Sequence, residues 1–128
     1  MKDNKFETKA IRDGYKTSQE QEHSAAIFLT SSFSFDSAEQ AAQRFAKEEQ
    51  GNVYSRFTNP TVEAFQDKLA SLEDAESCLA TASGMSAIFA TIMALSKAGD
   101  HIVASRGMFG TTTAVSYTHL TLPTIYSV

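Results

Sequence analysis

SCLATASGMSAIFATIMALSKAGDHIVAS, residues Ser77 to Ser105, sets two short apolar runs either side of a longer apolar segment. The flanking runs, Ser77 to Thr81 (SCLAT) and His101 to Ser105 (HIVAS), have the length and residue types of buried strands. Between them, Met85 to Ser96 carries a helical pattern, opened by Ala82-Ser83-Gly84 and closed by Gly99-Asp100. Strand, helix and strand joined by short connections predict a βαβ unit whose two strands are parallel neighbours. Gly84 then stands at the amino end of the crossover helix, and the fold class is α/β.

Working outward, the next helix upstream starts at Asn59-Pro60, because asparagine accepts from free backbone N–H groups and proline loses nothing in the first turn. It is predicted to run from Pro60 to Asp74, with Val62, Phe65, Leu69 and Leu72 as one apolar stripe. Ile27 to Phe35 (IFLTSSFSF) reads as extended, and Asp36-Ser37 caps a helix over Ala38 to Lys47 that ends near Gly51. Residues before Thr30 are polar and make a poor core, with one helical turn in ETKAIRDGY ended by Gly14. Downstream, Arg106 to Gly110 leads into a Thr-rich stretch that opens a further helix.

After Val115 the helical pattern is abandoned. Ser116 to Thr124 (SYTHLTLPT) resembles the in-frame translation of a sequencing-library adapter, so native sequence is expected to end near Val115 and residues 116–128 to be a non-native tail.

The chain has 128 residues, 42% hydrophobic and 20% charged, which suits one modest globular domain. A net charge of −4 with no block of Lys or Arg argues against nucleic acid as partner. The single cysteine, Cys78, excludes an intrachain disulfide and a multi-cysteine metal site, as expected in a reducing cytosol. The start lacks the apolar core of a signal peptide, and no stretch is long enough to span a membrane, so a cytoplasmic location is expected. His23, His101 and His119 are scattered without metal-ligand spacing, and GxSxG is absent.

Three constellations remain. Ser83-Gly84-Met85 opens a helix whose first N–H groups lack intrahelical partners, and a glycine there lets an anion approach the backbone. The alternative is a plain tight turn, since GxGxxG and GxxxxGK[ST] are both missing. In YSRFTNPT, Tyr54 and Arg56 sit two apart, so in an extended segment both project to one face and grip one anion together. The alternative is a surface arginine paired with Glu48, Glu49 or Glu63. Phe109, just beyond the second strand, offers a ring to stack on a planar ligand at the carboxyl end of a parallel strand, or else simple packing.

Four ordered blocks, GNVYSRFTNPT (Gly51 to Thr61), LASLEDAE (Leu69 to Glu76), ATASGMSAI (Ala80 to Ile88) and GDHIVASRGMFGTT (Gly99 to Thr112), resemble the Cys/Met-metabolism family of pyridoxal-phosphate (PLP) enzymes. The wider stretch Glu22 to Ala46 is most similar to its O-succinylhomoserine sulfhydrylase branch, and the resemblance covers about Phe6 to Val115. It implies the amino-terminal part of a PLP-dependent transferase fold of the aspartate aminotransferase-like type I. Residues 1–58 would be an arm with a short helix, and 59–115 the start of the large domain. It also implies that Ser83, Gly84 and Met85 hold the phosphate of pyridoxal 5′-phosphate within their own chain. Tyr54 and Arg56 would reach the phosphate of a neighbouring subunit in a homodimer or homotetramer.

Phe109 falls where the family usually has a ring-stacking tyrosine. It keeps the stacking face and loses the hydroxyl. No lysine stands in the motif of the family's Schiff-base lysine, so no catalytic residue is assigned and the chain alone is expected to be inactive. The implied reaction replaces succinate by sulfide on O-succinylhomoserine; a cystathionine γ-synthase or methionine γ-lyase relative is the nearest alternative. A noncatalytic phosphate-binding α/β module is the alternative from another class.

Overall fold

The computed structural model describes residues 4–97, 99–105, 107–119 and 125–127. The chain divides into two compact units, residues 1–80 and 81–128.

In the first unit, α1 (Phe6–Arg12) is ended by Gly14 at φ +91°, and α2 (Ala38–Phe45) is capped by Ser37, whose hydroxyl accepts from the Gln40 N–H. Helix α3 (Pro60–Leu72) begins at Asn59, whose side-chain oxygen accepts from the Thr61 N–H. Both longer helices stop earlier than their sequence pattern, α2 at Phe45 instead of Lys47 and α3 at Leu72 instead of Asp74. Lys47 (φ 62°) and Asp74 (φ 50°) are in the left-handed region, which reverses the chain after each helix.

The amino-terminal helix lies along α3. The Lys9 ammonium donates to the Ser71 carbonyl and pairs with Asp74, and the Ser71 hydroxyl donates to the Asp13 carboxylate at 2.6 Å. Gly14 is required here: a Cβ would lie 2.5 Å from the Lys68 backbone, in a conformation that side chains avoid. On α2, the Arg44 guanidinium sits 5.9 Å from the Phe35 ring centroid and donates to Glu49 at 3.0 Å, while Gln40 donates to the same carboxylate oxygen at 3.1 Å.

The apolar stripe of α3 does not become a core face: Val62, Phe65 and Leu69 all remain exposed, and Ala70 is the buried hydrophobic residue of the unit among those described. An α-helix buries its stripe only against a second packed layer. Ile27 and Leu29 of the extended segment are exposed as well, Leu29 at 94%, and Phe33 is half-buried.

Ser18 donates to the Glu22 carboxylate through its hydroxyl at 2.7 Å and its amide at 2.9 Å, which holds that carboxyl below its usual 4.5. Because the folded value lies below the unfolded one, the contact contributes above about pH 4.5 and is lost as pH falls through the folded value. Ser18→Ala is expected to return the Glu22 midpoint toward 4.5 in an NMR titration; an unchanged midpoint would refute this origin.

The second unit contains α4 (Gly84–Leu95), β1 (Ile102–Ala104), α5 (Gly110–His119) and β2 (Ile125–Ser127). Gly84 is the first residue of α4, as expected, and α5 packs on α4. The parallel partner of β1 differs from the expected one. Ser77 to Thr81 is in no ladder, and β1 pairs instead with β2 in the register Ile102↔Ile125, Val103↔Tyr126, Ala104↔Ser127. An apolar run favours an extended segment but specifies neither its burial, since Leu79 and Val103 are both exposed, nor which strand lies beside it. The βαβ unit thus forms one step later, as β1-α5-β2.

Helix α5 also continues past Val115, where the sequence pattern ended, to His119. Once nucleated, a helix adds indifferent residues at little cost. Residues 120–124 of the adapter-like stretch lie outside the described residues.

Candidate functional site

Each of the six candidate residues belongs to one of the two units. In the first unit, YSRFTNPT is not extended throughout. Tyr54 makes an antiparallel bridge to Ser32, flanked by Phe33 N–H to Val53 carbonyl at 3.2 Å and Ser55 N–H to Ser31 carbonyl at 2.9 Å. The chain then turns: the Phe57 and Thr58 N–H groups both donate back to the Tyr54 carbonyl, at 2.9 and 3.2 Å.

The expected alternation of Tyr54 and Arg56 on one strand face is therefore replaced by a turn, which still brings them together. The Arg56 guanidinium lies 5.4 Å from the Tyr54 ring centroid and 5.2 Å from that of Phe57. A guanidinium over two aromatic rings gains cation–π attraction, and Arg56 is exposed, so its N–H donors remain accessible to a ligand. Arg56 has no ion pair among the described residues, and Glu49 is taken by Arg44, so the surface-pair alternative is not realised. Tyr54, 40% exposed, and Arg56 are both open to solvent.

In the second unit, Ser83 caps α4: its hydroxyl accepts from the Ser86 N–H at 3.1 Å and shares a hydrogen with the Ser86 hydroxyl at 2.9 Å. The N–H groups of Gly84 and Met85, which precede Ser86, have no hydrogen-bond partner among the described residues. A Cβ on Gly84 would meet no atom within 4 Å, and Gly84 is not among the positive-φ glycines, so packing within the chain does not demand glycine there. Met85 is half-buried. Phe109 follows β1, immediately before α5, and is 77% exposed. Its carbonyl accepts from the Thr112 N–H at 2.9 Å, which fixes the backbone that carries the ring.

Sequence reasoning missed two contributors. Phe57 forms the second wall of the Arg56 cage; its place beside arginine was visible, its stacking was not. Asn59, read only as a helix cap, is buried to 6% exposure and makes two further hydrogen bonds, one to Ser55 four residues upstream and one to the distant Phe28 carbonyl. No local signal announces the Phe28 partner. No group of acidic, histidine and cysteine side chains among the described residues is suited to a metal ion, and no helix there is long and apolar enough to cross a membrane.

The chain belongs to the Cys/Met metabolism PLP-dependent enzyme family, whose model matches residues 7–125. Its architecture is correspondingly the amino-terminal part of the type I PLP transferase fold. It is 54% identical over 107 residues to an O-succinylhomoserine sulfhydrylase of Pseudomonas aeruginosa, covering 84% of this chain and 27% of that protein. An L-methionine gamma-lyase of Treponema denticola is 42% identical over 85% of this chain and 27% of its own length.

The chain thus spans about a quarter of the length of the curated relatives it matches. Among solved structures, a Campylobacter jejuni protein that carries N′-pyridoxyl-lysine-5′-monophosphate superposes with a TM-score of 0.84 at 30% identity. The match covers 98% of this chain and 31% of that one.

The residues present fit a phosphate ester. Gly84 and Met85 offer two N–H groups at a helix head with no partner among the described residues, and Arg56 offers a cation held near two aromatic rings with no ion pair among those residues.

Proposed function

We propose that this chain supplies the phosphate-binding elements of a PLP-dependent O-succinylhomoserine sulfhydrylase. The observation that carries the reading is the open head of α4, where glycine is not needed for packing and two N–H groups have no partner among the described residues, in a chain 54% identical to such an enzyme over 107 residues. Ser83, Gly84 and Met85 hold the cofactor phosphate of their own subunit. Tyr54 and Arg56 hold that of a neighbouring subunit in a homodimer or homotetramer. Residues 1–58 serve as the arm that carries this exchange, and residues 59–115 begin the large domain.

The cofactor, when bound, stabilises negative charge on the amino-acid substrate and so permits cleavage at its γ-carbon. The residues of this chain anchor and orient it. A dianion held by helix N–H groups and a charge-assisted arginine stays in place while the ring end reacts. In the net reaction the γ-carbon–oxygen bond to succinate breaks and a carbon–sulfur bond to sulfide forms, giving homocysteine and succinate. The enzyme works in the cytoplasm.

The test is direct: the whole protein, given O-succinylhomoserine and sulfide, is expected to release homocysteine, measured as free thiol by mass spectrometry. Breakdown of methionine to methanethiol with no such synthesis would establish the lyase reaction found among its relatives instead.

Phe109 stacks on the cofactor ring in this reading. Phe109→Tyr is expected to leave cofactor affinity nearly unchanged, and Phe109→Ala to lower it by about two- to tenfold, the worth of one aromatic contact. A fluorescence titration decides; equal affinity in all three proteins would remove Phe109 from the site.

A further inference from the structure

Asn59 is a buried polar side chain of the first unit, at 6% exposure, and its hydrogen bonds join the helix cap and the preceding turn to a distant extended segment. Its Oδ1 accepts from the Thr61 N–H at 2.9 Å, the helix-cap contact. Its Nδ2 donates to the Phe28 carbonyl at 3.1 Å and to the Ser55 hydroxyl oxygen at 2.9 Å. The Ser55 hydroxyl in turn donates to the Thr30 carbonyl, and the Phe28 N–H donates to the Thr61 hydroxyl at 2.8 Å. Both backbone groups of Phe28 are therefore held by side chains of the Asn-Pro-Thr sequence, as a neighbouring strand would hold them.

Ser55 is the residue between Tyr54 and Arg56. The amide of Asn59 thus fastens the turn from inside while Arg56 faces solvent between its two rings. We propose that Asn59 is a positioning residue for Arg56: its carboxamide, beyond capping α3, sets the turn that presents the guanidinium. The inference deepens the phosphate reading of Arg56 and rests on it for its functional consequence.

The geometry itself is tested on this chain labelled with 15N-arginine. The Arg56 Nε–H resonance is expected upfield, because the group lies over two aromatic rings. Asn59→Ser keeps an oxygen able to cap α3 but removes both Nδ2 donors. It is expected to move the Arg56 resonance toward the free-arginine position while helicity by circular dichroism is retained. Ser55→Ala cuts the same tie from the other side, leaves the cap untouched, and is expected to shift the resonance in the same direction. An Arg56 resonance unmoved in both variants, or already at the free-arginine position in the wild type, overturns the proposal.

A second readout uses the whole apo-protein and compares pyridoxal 5′-phosphate with pyridoxal, which lacks the phosphate. Asn59→Ser is expected to lower the preference for the phosphate ester on the order of tenfold, as the loss of one well-aimed charged contact would. General damage would weaken both ligands alike and overturn the positioning role. If Arg56→Ala leaves the preference intact, the phosphate reading of Arg56 falls, and the resonance measurement alone decides whether Asn59 positions it.

Discussion

Arg56→Ala in the whole protein is expected to weaken pyridoxal 5′-phosphate binding about ten- to a hundredfold, since it removes a charge-assisted contact worth roughly 1.5–3 kcal/mol. Folding stability should change somewhat less. Among the described residues, the arginine's side-chain contacts are two exposed cation–π contacts at 5.4 and 5.2 Å, each worth about 0.5–1 kcal/mol. Arg56→Lys should recover part of the affinity, because an ammonium keeps the charge and loses the planar fork.

The cross-subunit assignment has a sharper consequence in mixed dimers, in which one chain carries Arg56→Ala and its partner Gly84→Asp. If Arg56 serves the neighbour, both lesions fall in one site, and a cofactor titration finds half the sites with normal affinity. If Arg56 serves its own chain, each site carries one lesion and no normal site is found.

Gly84→Asp is expected to have the larger effect on binding and an opposite effect on the fold. A carboxylate at the first position of α4 would sit where the proposed phosphate sits. Two like charges about 5 Å apart repel by about 3 kcal/mol at an effective dielectric of 20, so affinity should fall by on the order of a hundredfold or more. The same carboxylate faces the positive end of the helix dipole, which favours it by about 0.3–1 kcal/mol. A Cβ at this position meets nothing within 4 Å. The variant should therefore melt at the same temperature as the parent or slightly above it, and fail to bind. Gly84→Ala separates bulk from charge: it is expected to fold equally well and to lose affinity only in proportion to how closely the phosphate approaches. A Gly84→Asp protein that still binds pyridoxal 5′-phosphate normally would place the phosphate elsewhere.

The residues that carry these predictions were legible in the sequence because each belongs to a local signal. Asn59-Pro60 and Ser83-Gly84 announce helix starts through contacts made within three residues, and the structure has both caps. Phe109 was readable for a similar reason, lying at the exit of the apolar run that became β1. The pairing of Tyr54 with Arg56 was also readable, although its cause was not. Alternation along a strand suggested a shared face, whereas the structure joins them by a turn and a stacked guanidinium.

What depended on tertiary structure has one physical origin, contact between residues far apart in the chain. HIVAS specified a strand by composition, but a strand's neighbour is chosen by hydrogen bonds that any extended backbone can make, and β1 took Ile125–Ser127 over Ser77 to Thr81. The stripe Val62, Phe65 and Leu69 specified an amphipathic helix, yet whether such a face is covered depends on a second layer that periodicity does not describe. Asn59 shows the division within one side chain. Its oxygen caps the helix two residues away, as sequence alone dictates; its nitrogen reaches Phe28, 31 residues upstream, and that partner exists only once the chain has folded.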